Sequence, residues 1–149
     1  MTALHLDEFL PYRLSIASNV VSSAVETTYR ALFGLRIPEW RLVAVLAEGE
    51  LTQQALTAKT RMDKVTVSRA AIALAERGLV VRAPHPGDQR SHLLALSAPG
   101  RALYEEVAPK ALEMEALIFA GFAHEEIAAF RTMLARIEAA AGALDEDRG

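Results

Sequence analysis

The sequence predicts a mainly α-helical fold that carries one small β-hairpin. Apolar residues recur at helical spacing along most of the 149 residues, and helix start and stop signals divide the chain into six helices. A Pro/Gly/Asp turn near residue 86 separates two short apolar β-like runs, which is typical of a hairpin. The order of two short helices, a tight turn and a hairpin indicates a winged helix-turn-helix inside a helical dimerisation scaffold.

Composition limits the classes of protein to consider. Hydrophobic residues make up 52% of the chain, enough for a sizeable core. The chain has no cysteine, which excludes disulfides, thiolate metal sites and thiol-based redox sensing. The start has no basic n-region, and the uncharged stretch Leu14–Val25 is shorter than the ~20 residues that span a bilayer. We therefore expect a cytoplasmic protein without a membrane partner.

The first helix is predicted from Leu10 to Phe33, with Pro11 in its first turn and Gly34 at its end. Pro38 opens a second helix over Glu39–Ala47, which Gly49 ends. Thr52 is a candidate cap for a third helix over Gln53–Ala58, and a turn over Lys59–Met62 leads to the fourth. The apolar residues of the first helix follow roughly heptad steps, which favours packing on another helix; they are Leu14, Val21, Val25 and Leu32.

The fourth helix has the pattern of a helix that reads a DNA groove. Asp63 is a good N-cap and Gly78 a good C-terminal stop, and acid is confined to the helix ends. The predicted buried stripe is Val67, Ala70, Ala71 and Leu74. Short donors, one Arg and an apolar side chain suit a major groove, although a solvated surface helix with little acid remains an alternative. The opposite face and its edges carry Lys64, Val65, Thr66, Ser68, Arg69 and Ile72.

The hairpin is predicted from Leu79–Arg82 and His92–Leu96, and its tip offers His85, Asp88, Gln89 and Arg90. A hairpin that follows a groove-reading helix is a wing, and an Arg at its tip can enter a narrow minor groove. Asp88 can orient Arg90 or a nearby arginine, Arg61 or Arg82. The alternative is a plain hairpin with a polar tip.

The C-terminal third is predicted to be two helices. Ser97 caps the first of them, Pro109 should kink it and Gly121 breaks it. The last helix runs from Glu125 to about Ala140, and the tail Asp145–Gly149 is expected to be disordered.

Charge is divided unevenly along the chain. Residues 55–101 hold eight basic and three acidic residues, whereas the remainder holds eight basic and sixteen acidic ones. The net charge of −3 therefore hides a basic segment where the groove-reading parts lie, which favours DNA as a partner.

The run from Met62 to Val107 resembles the winged helix-turn-helix core of the MarR family of bacterial regulators. The most specific pieces are the DKVTVSR helix start, ERGLV, and DQRS followed by LSAPGR. The helices on both sides fit as well, so the resemblance covers about the whole chain. Three departures are visible: Ile72 and Ala73 are less polar than usual, Ile37 replaces a Ser or Thr cap, and Ala123 replaces a capping Ser.

The apolar faces of the terminal helices exceed what these helices bury among themselves, and the resemblance also implies a homodimer. The alternative is a monomer whose terminal helices cover the winged domain. The winged DNA-binding region would be residues 37–97, and the dimerisation region residues 1–36 and 98–149. The resemblance further implies a small effector, an aromatic carboxylate or its thioester, that releases a repressor from a palindromic operator. Its candidate binding residues are Tyr12, Arg13, Trp40 and Arg41.

Other chemistries have less support. His85, Asp88 and His92 could form a metal site across the hairpin, but exposed wing histidines near phosphates are the commoner arrangement. The sequence has no nucleophile elbow and no phosphate-binding loop, so we expect neither an enzyme nor a cofactor. Two alternatives stay open: a constitutive DNA-binding protein without effector, and a winged-helix module that binds other proteins.

Overall fold

The structure is a computed structural model that describes residues 2–149, with the backbone alone for residues 88–91. The chain divides into two compact units, Met1–Ala111, here the winged unit, and Leu112–Gly149, the C-terminal unit. Across residues 2–149, no helix has both the length and the apolar character needed to cross a bilayer.

Helix α1 spans Leu10–Phe33, as the sequence predicts, and a short 3-10 turn at Leu6–Glu8 precedes it. Pro11 lies in the first turn, where its missing N–H costs no hydrogen bond. Gly34 ends the helix in the left-handed conformation, with a φ of 63° that a side chain would disfavour.

Helix α2 spans Ile37–Leu46, so the prediction that it begins after Pro38 is wrong by two residues. Its N-cap is Arg36, whose side chain has no acceptor atom and makes no capping hydrogen bond. Glu39 replaces the missing cap in part, because its Oε1 accepts from the Arg36 backbone N–H at 2.8 Å. The helix ends at Leu46, before Gly49.

Helices α3, Gln53–Thr60, and α4, Lys64–Glu76, form the helix-turn-helix. Both predicted caps are present. Thr52 Oγ1 accepts from the Ala55 N–H at 3.1 Å, and Asp63 Oδ1 accepts from the Thr66 N–H at 2.8 Å. Arg61 ends α3 with a φ of 57°, which turns the chain sharply into α4.

The wing belongs to a three-stranded antiparallel sheet with the order β1-β3-β2. The strands are β1, Leu51–Thr52, β2, Val80–His85, and β3, Asp88–Leu96. Strand β1 was not predicted, because two residues give no periodic pattern. The turn is also tighter than predicted: it occupies Pro86 and Gly87, and the backbone from Asp88 onward is already strand.

Among the side chains that the structure describes, the buried core of the winged unit contains only apolar residues and Tyr29. The predicted stripe of α4 is buried, and it meets residues from α2, α3 and the sheet. The buried apolar residues are Tyr29, Leu35, Leu42, Val43, Leu46, Leu56, Val67, Ala70, Ala71, Leu74, Leu79, Val80, Leu94 and Val107.

Helix α5, Ala98–Ile118, begins in the winged unit, and its start fits closely against the sheet. Ser97 Oγ accepts from the Gly100 N–H at 3.1 Å, which is the predicted cap, and donates to the Gly78 carbonyl at 2.6 Å. A methyl group at Gly100 would overlap the carbonyl oxygen of Leu79. Only glycine therefore permits this approach.

The C-terminal unit contains the end of α5 and helix α6, His124–Glu146. Helix α6 is longer than predicted, since it passes through Gly142 and includes Asp145 and Glu146, which were expected to be disordered. Ala123 is its N-cap, and Glu126 Oε1 accepts from the Ala123 N–H at 2.8 Å. A cavity of ≈ 330 Å³ in this unit is lined by Phe119, Phe122, Glu126, Ile127, Ala129, Phe130 and Met133.

Candidate nucleic-acid interface

The face of α4 opposite the core is open to solvent. Val65 is 56% exposed and Ile72 is 48% exposed. Lys64, which precedes Val65, and Arg69, which lies between Val65 and Ile72 in the sequence, are also exposed. Ser68 is half-buried. This face therefore presents an ammonium, a guanidinium, a hydroxyl and an aliphatic side chain together, which is a set of groups that can read base edges.

A shallow groove of ≈ 460 Å³ runs along this face. Lys64, Val65, Ser68 and Arg69 line it, together with Gln53 from the start of α3. Gln53 was not predicted as part of this face. The signal was its position directly after the Thr52 cap, since the first residues of α3 lie beside α4. The groove brings donors from both helices of the helix-turn-helix to one surface.

Thr66 is predicted to contact DNA, and in the structure it also donates hydrogen bonds to the N-cap residue Asp63. Its backbone N–H donates to Asp63 Oδ1 and its hydroxyl donates to Asp63 Oδ2, both at 2.8 Å. These hydrogen bonds, the backbone one first, lower the pKa of the Asp63 carboxyl below its usual 3.8. Asp63 therefore stays ionised at the N-terminus of α4, where the helix dipole favours negative charge.

The wing is described in part. Arg82, a predicted DNA-contacting residue, is exposed on β2. The predicted contacts of Asp88, Gln89 and Arg90 depend on side chains that lie outside the described residues. At the turn, His85 Nδ1 accepts from the Gly87 N–H at 2.9 Å.

The same hydrogen bond bears on the hypothetical metal site. It uses the Nδ1 atom of His85, one of the two imidazole atoms that could bind a metal. In the strand register His85 lies opposite Asp88, and His92 lies opposite Pro84. Among the side chains that the structure describes, no group of three His, Asp or Glu is placed to hold a metal ion.

Among the basic residues of the segment 55–101 whose side chains the structure describes, three have partners within the chain. Lys59 Nζ pairs with Glu48 Oε2 at 2.9 Å. Arg77 donates to the carbonyl oxygens of Phe33 and Gly34, both at 3.2 Å, and Arg101 to that of Ala47 at 3.5 Å. The basic side chains that remain on the α4 and wing surface, with described positions, are Arg61, Lys64, Arg69 and Arg82.

The four candidate effector residues do not form one cluster within a single chain. Trp40 lies between Tyr29, with ring centroids 5.7 Å apart, and Tyr104, on which it stacks at 6.0 Å. Tyr29 is buried, and burial raises the pKa of its hydroxyl. Tyr12 lies seventeen residues before Tyr29 on α1, which is roughly 25 Å along the helix axis. Arg13 donates to the Asp7 carbonyl at 3.4 Å, and Arg41 is exposed.

Comparison with known proteins agrees with this geometry. Residues 33–91, which hold the helix-turn-helix and most of the wing, match the model of the MarR family. Residues 33–91 are therefore a winged helix-turn-helix of the MarR type.

Similar proteins include curated relatives from two mycobacteria. HTH-type transcriptional regulators of Mycobacterium bovis and Mycobacterium tuberculosis are each 37% identical over 62 residues, 42% of this chain. That match spans 43% of the length of each relative. A probable transcriptional regulator from Pseudomonas aeruginosa is 29% identical, with a TM-score of 0.80 over 89% of this chain and 99% of its own.

Three further solved structures share the fold of this chain. A Streptomyces coelicolor family member in complex with DNA is 21% identical, with a TM-score of 0.81 over 93% of this chain and 89% of its own. A Bordetella bronchiseptica protein whose DNA binding is regulated by 6-hydroxynicotinic acid is 24% identical, with a TM-score of 0.85 over 92% and 98%. A Rhodococcus jostii protein bound to p-coumaroyl-CoA is 23% identical, with a TM-score of 0.79 over 91% and 95%.

Proposed function

We propose that this chain is a sequence-specific DNA-binding transcriptional regulator of the MarR family that acts as a homodimer. The observation that carries the proposal is the exposed face of α4, where Lys64, Ser68 and Arg69 line one groove. In this proposal α4 enters the major groove, Arg69 contacts a guanine edge or a phosphate, and Val65 contacts a thymine methyl. Lys64 and Thr66 lie at the edge of the same face.

The wing supplies the second set of contacts. Arg82 is exposed on β2, where it can meet a phosphate. Arg90, oriented by Asp88 and flanked by Gln89, reaches a narrow minor groove, where the potential is most negative.

The homodimer is supported by apolar surface that a single chain leaves uncovered. In α1, Leu14 is 40% exposed and Leu32 57% exposed, and α6 exposes Phe130 and Ile137 along one stripe. Such stripes are stabilised when a second helix covers them. We therefore assign dimerisation to residues 1–36 and 98–149 and DNA contact to residues 37–97.

A small effector is the finer part of the proposal. Trp40 and its two tyrosine neighbours offer aromatic surface, and the exposed Arg41 is one residue away to pair with a carboxylate. Tyr12 and Arg13 join this site from the partner chain, since they are distant within one chain. The ligands named for the Bordetella and Rhodococcus proteins, an aromatic acid and an aromatic thioester, have the chemistry that such a site would bind.

The effector would act on geometry rather than on the DNA-contacting residues. Two copies of α4 must enter successive major grooves whose centres lie about 34 Å apart. A ligand that favours another spacing releases a repressor from its palindromic operator. By linkage, operator DNA must weaken ligand binding by the same factor.

The first test is selection of duplexes from a random-sequence pool by the purified chain, followed by gel-shift titration at several salt concentrations. We expect a palindromic site. Arg90→Ala should weaken its binding and either lower the salt slope by about 1 or reduce preference for an A·T-rich flank. A chain that selects no duplex would instead favour the protein-binding alternative.

The second test is calorimetric titration of 6-hydroxynicotinic acid and p-coumaroyl-CoA with and without the selected duplex. An effector binds more weakly in the presence of DNA. Equal affinities in both titrations would mean that the compound is not the signal, and a chain that binds neither compound would fit the constitutive alternative.

A further inference from the structure

The C-terminal end of α4 is joined to α1 by one side chain. Arg77 follows α4 directly, and its two terminal nitrogens donate separately to the carbonyl oxygens of Phe33 and Gly34, each at 3.2 Å. These carbonyls lie where α1 ends. They are among the groups that a helix leaves without an intrahelical partner, and a cation is favoured there by the helix dipole.

This link is not a by-product of close helix packing. Helix α4 packs mainly on α2, α3 and β2, whereas the α1 and α4 backbones make few close approaches. The other hydrogen bonds at the end of α1 are made within the helix terminus, from Gly34 N–H to the Arg30 carbonyl and from Leu35 N–H to the Tyr29 carbonyl. Arg77 therefore connects two helices whose backbones make few close approaches to each other.

The two residues after Arg77, Gly78 and Leu79, connect the end of α4 to the start of α5 through Ser97. The carbonyl of Gly78 accepts from Ser97 Oγ at 2.6 Å, and the carbonyl of Leu79 accepts from the Ser97 N–H at 3.1 Å. On one side, the end of α4 is thus held by backbone and capping hydrogen bonds, which we expect any folded variant to retain. On the other side it is fixed by the guanidinium of Arg77.

We propose that Arg77 is a positioning residue that sets the orientation of α4 relative to α1, and through it the spacing of the two recognition helices in the dimer. This inference rests on the proposed function, in which α1 belongs to the dimer base and α4 to the DNA contact. Arg77 itself touches no DNA. Its planar guanidinium suits the task, because two donors held in a fixed geometry restrain direction as well as distance.

The decisive variant is Arg77→Ala, with Arg36→Ala as the matched control. Arg36 is also exposed and lies two residues beyond Gly34, so its loss changes the net charge equally while leaving the Phe33 and Gly34 carbonyls paired. Arg77→Lys keeps the charge but loses the paired geometry, and we expect it to be intermediate.

Binding is measured to three kinds of duplex: the selected palindrome, the palindrome with one base pair added or removed between half-sites, and a single half-site. Coupling between sites typically changes affinity 5–150-fold, so we expect Arg77→Ala to weaken binding to the selected palindrome by about tenfold. Its half-site affinity should stay unchanged, and its discrimination against altered spacing should fall. Equal behaviour of Arg77→Ala and Arg36→Ala, or an equal loss on the half-site, would overturn the proposal.

A measurement without DNA separates this inference from the proposed function. Because the chain has no cysteine, Ile72→Cys gives one spin-label site on the exposed face of α4 in each subunit. The label-to-label distance distribution from pulsed EPR should broaden in Arg77→Ala and remain unchanged in Arg36→Ala. Failure of the wild-type chain to select a duplex would refute the proposed function, and unaltered EPR distributions would refute the role of Arg77.

Discussion

Residues 37–97 bury a closed apolar core, whereas α1 and the C-terminal unit leave many large apolar side chains in contact with solvent. In the winged unit, α4 packs Val67, Ala70, Ala71 and Leu74 into a core closed by the sheet and by α2. In residues 112–149, all described, no side chain reaches the same degree of burial. Yet α6 is amphipathic and exposes Phe130, Met133 and Ile137 on one stripe.

The difference shows which part of the chain is complete by itself. Residues 37–97 enclose their own apolar core, so the polar groups on their surface are free to bind a polar partner such as DNA. The C-terminal unit has an apolar stripe at helical spacing and little of its own chain to cover it, which is the condition that a dimer interface relieves. The following predictions test this contrast, beginning with the largest expected effect.

The first prediction concerns two glycines, one in each unit. Gly100→Ala should destabilise the winged unit by about 3 kcal/mol, because the new methyl group overlaps the Leu79 carbonyl and forces the backbone apart. Gly142→Ala is the control: its methyl group meets nothing within 4 Å in this chain, and removing glycine from a helix interior should stabilise by about 0.5–1 kcal/mol. Denaturant unfolding measures both. Equal stabilities for the two variants would mean that the close approach of α5 to Leu79 does not require glycine at position 100.

The second prediction concerns the exposed stripe. Ile137→Glu should weaken self-association by at least about tenfold, since a carboxylate would be buried without a partner at the interface. Sedimentation over a range of concentrations gives the dimer dissociation constant. Glu138→Gln, a change on the adjacent exposed position, serves as the control. A dimer that tolerates the Ile137→Glu change would place the interface elsewhere.

The third prediction concerns the polar face of the winged unit. Arg69→Ala should cost about 1–3 kcal/mol of DNA binding and relax base preference at one position in each half-site if Arg69 reads guanine. Titration of duplexes with each base at that position measures the effect. A uniform loss on all sequences would assign Arg69 to a phosphate, and no loss on any of them would remove it from the interface.

The smallest effect is expected at the Asp63 cap. Asp63→Ala should lower the melting temperature modestly, whereas Asp63→Asn, also a good N-cap, should lower it less. The folded-state pKa of Asp63 lies below its unfolded value. Its contribution to stability is therefore present above the unfolded pKa and is lost as the pH falls through the folded one. In thermal unfolding from about pH 7 to pH 3, the difference between wild type and Asp63→Asn should shrink at the acid end. A constant difference would contradict the depressed pKa.

The features that sequence reasoning obtained correctly are those that neighbouring residues specify. The bounds of α1 follow from Pro11 and Gly34, and the cap, buried stripe and exposed face of α4 follow from helical spacing between Asp63 and Gly78. These signals act within a few residues of one another, so one sequence is sufficient to detect them.

The features that it missed depend on contacts between distant segments. Strand β1 exists because Leu51 pairs with Leu94, and Trp40 stacks on Tyr104, which lies sixty-four residues away in the sequence. Arg77 counted as DNA-facing charge until the structure placed it on the end of α1. The end of α6 was also misjudged, because the helix was predicted to end at about Ala140 and instead continues to Glu146.

The arrangement of the sheet has a consequence for the protein at high concentration. A sheet edge with unpaired backbone groups can add strands from other molecules and so begin aggregation. Here the central strand is β3, one edge is the two-residue β1, and the other edge is β2, which contains Pro84 and the exposed Arg82. Proline lacks a backbone donor and a charged side chain disfavours stacking, so neither edge is a good template for strand addition. The hairpin can thus be exposed to a ligand without its edges initiating fibril formation.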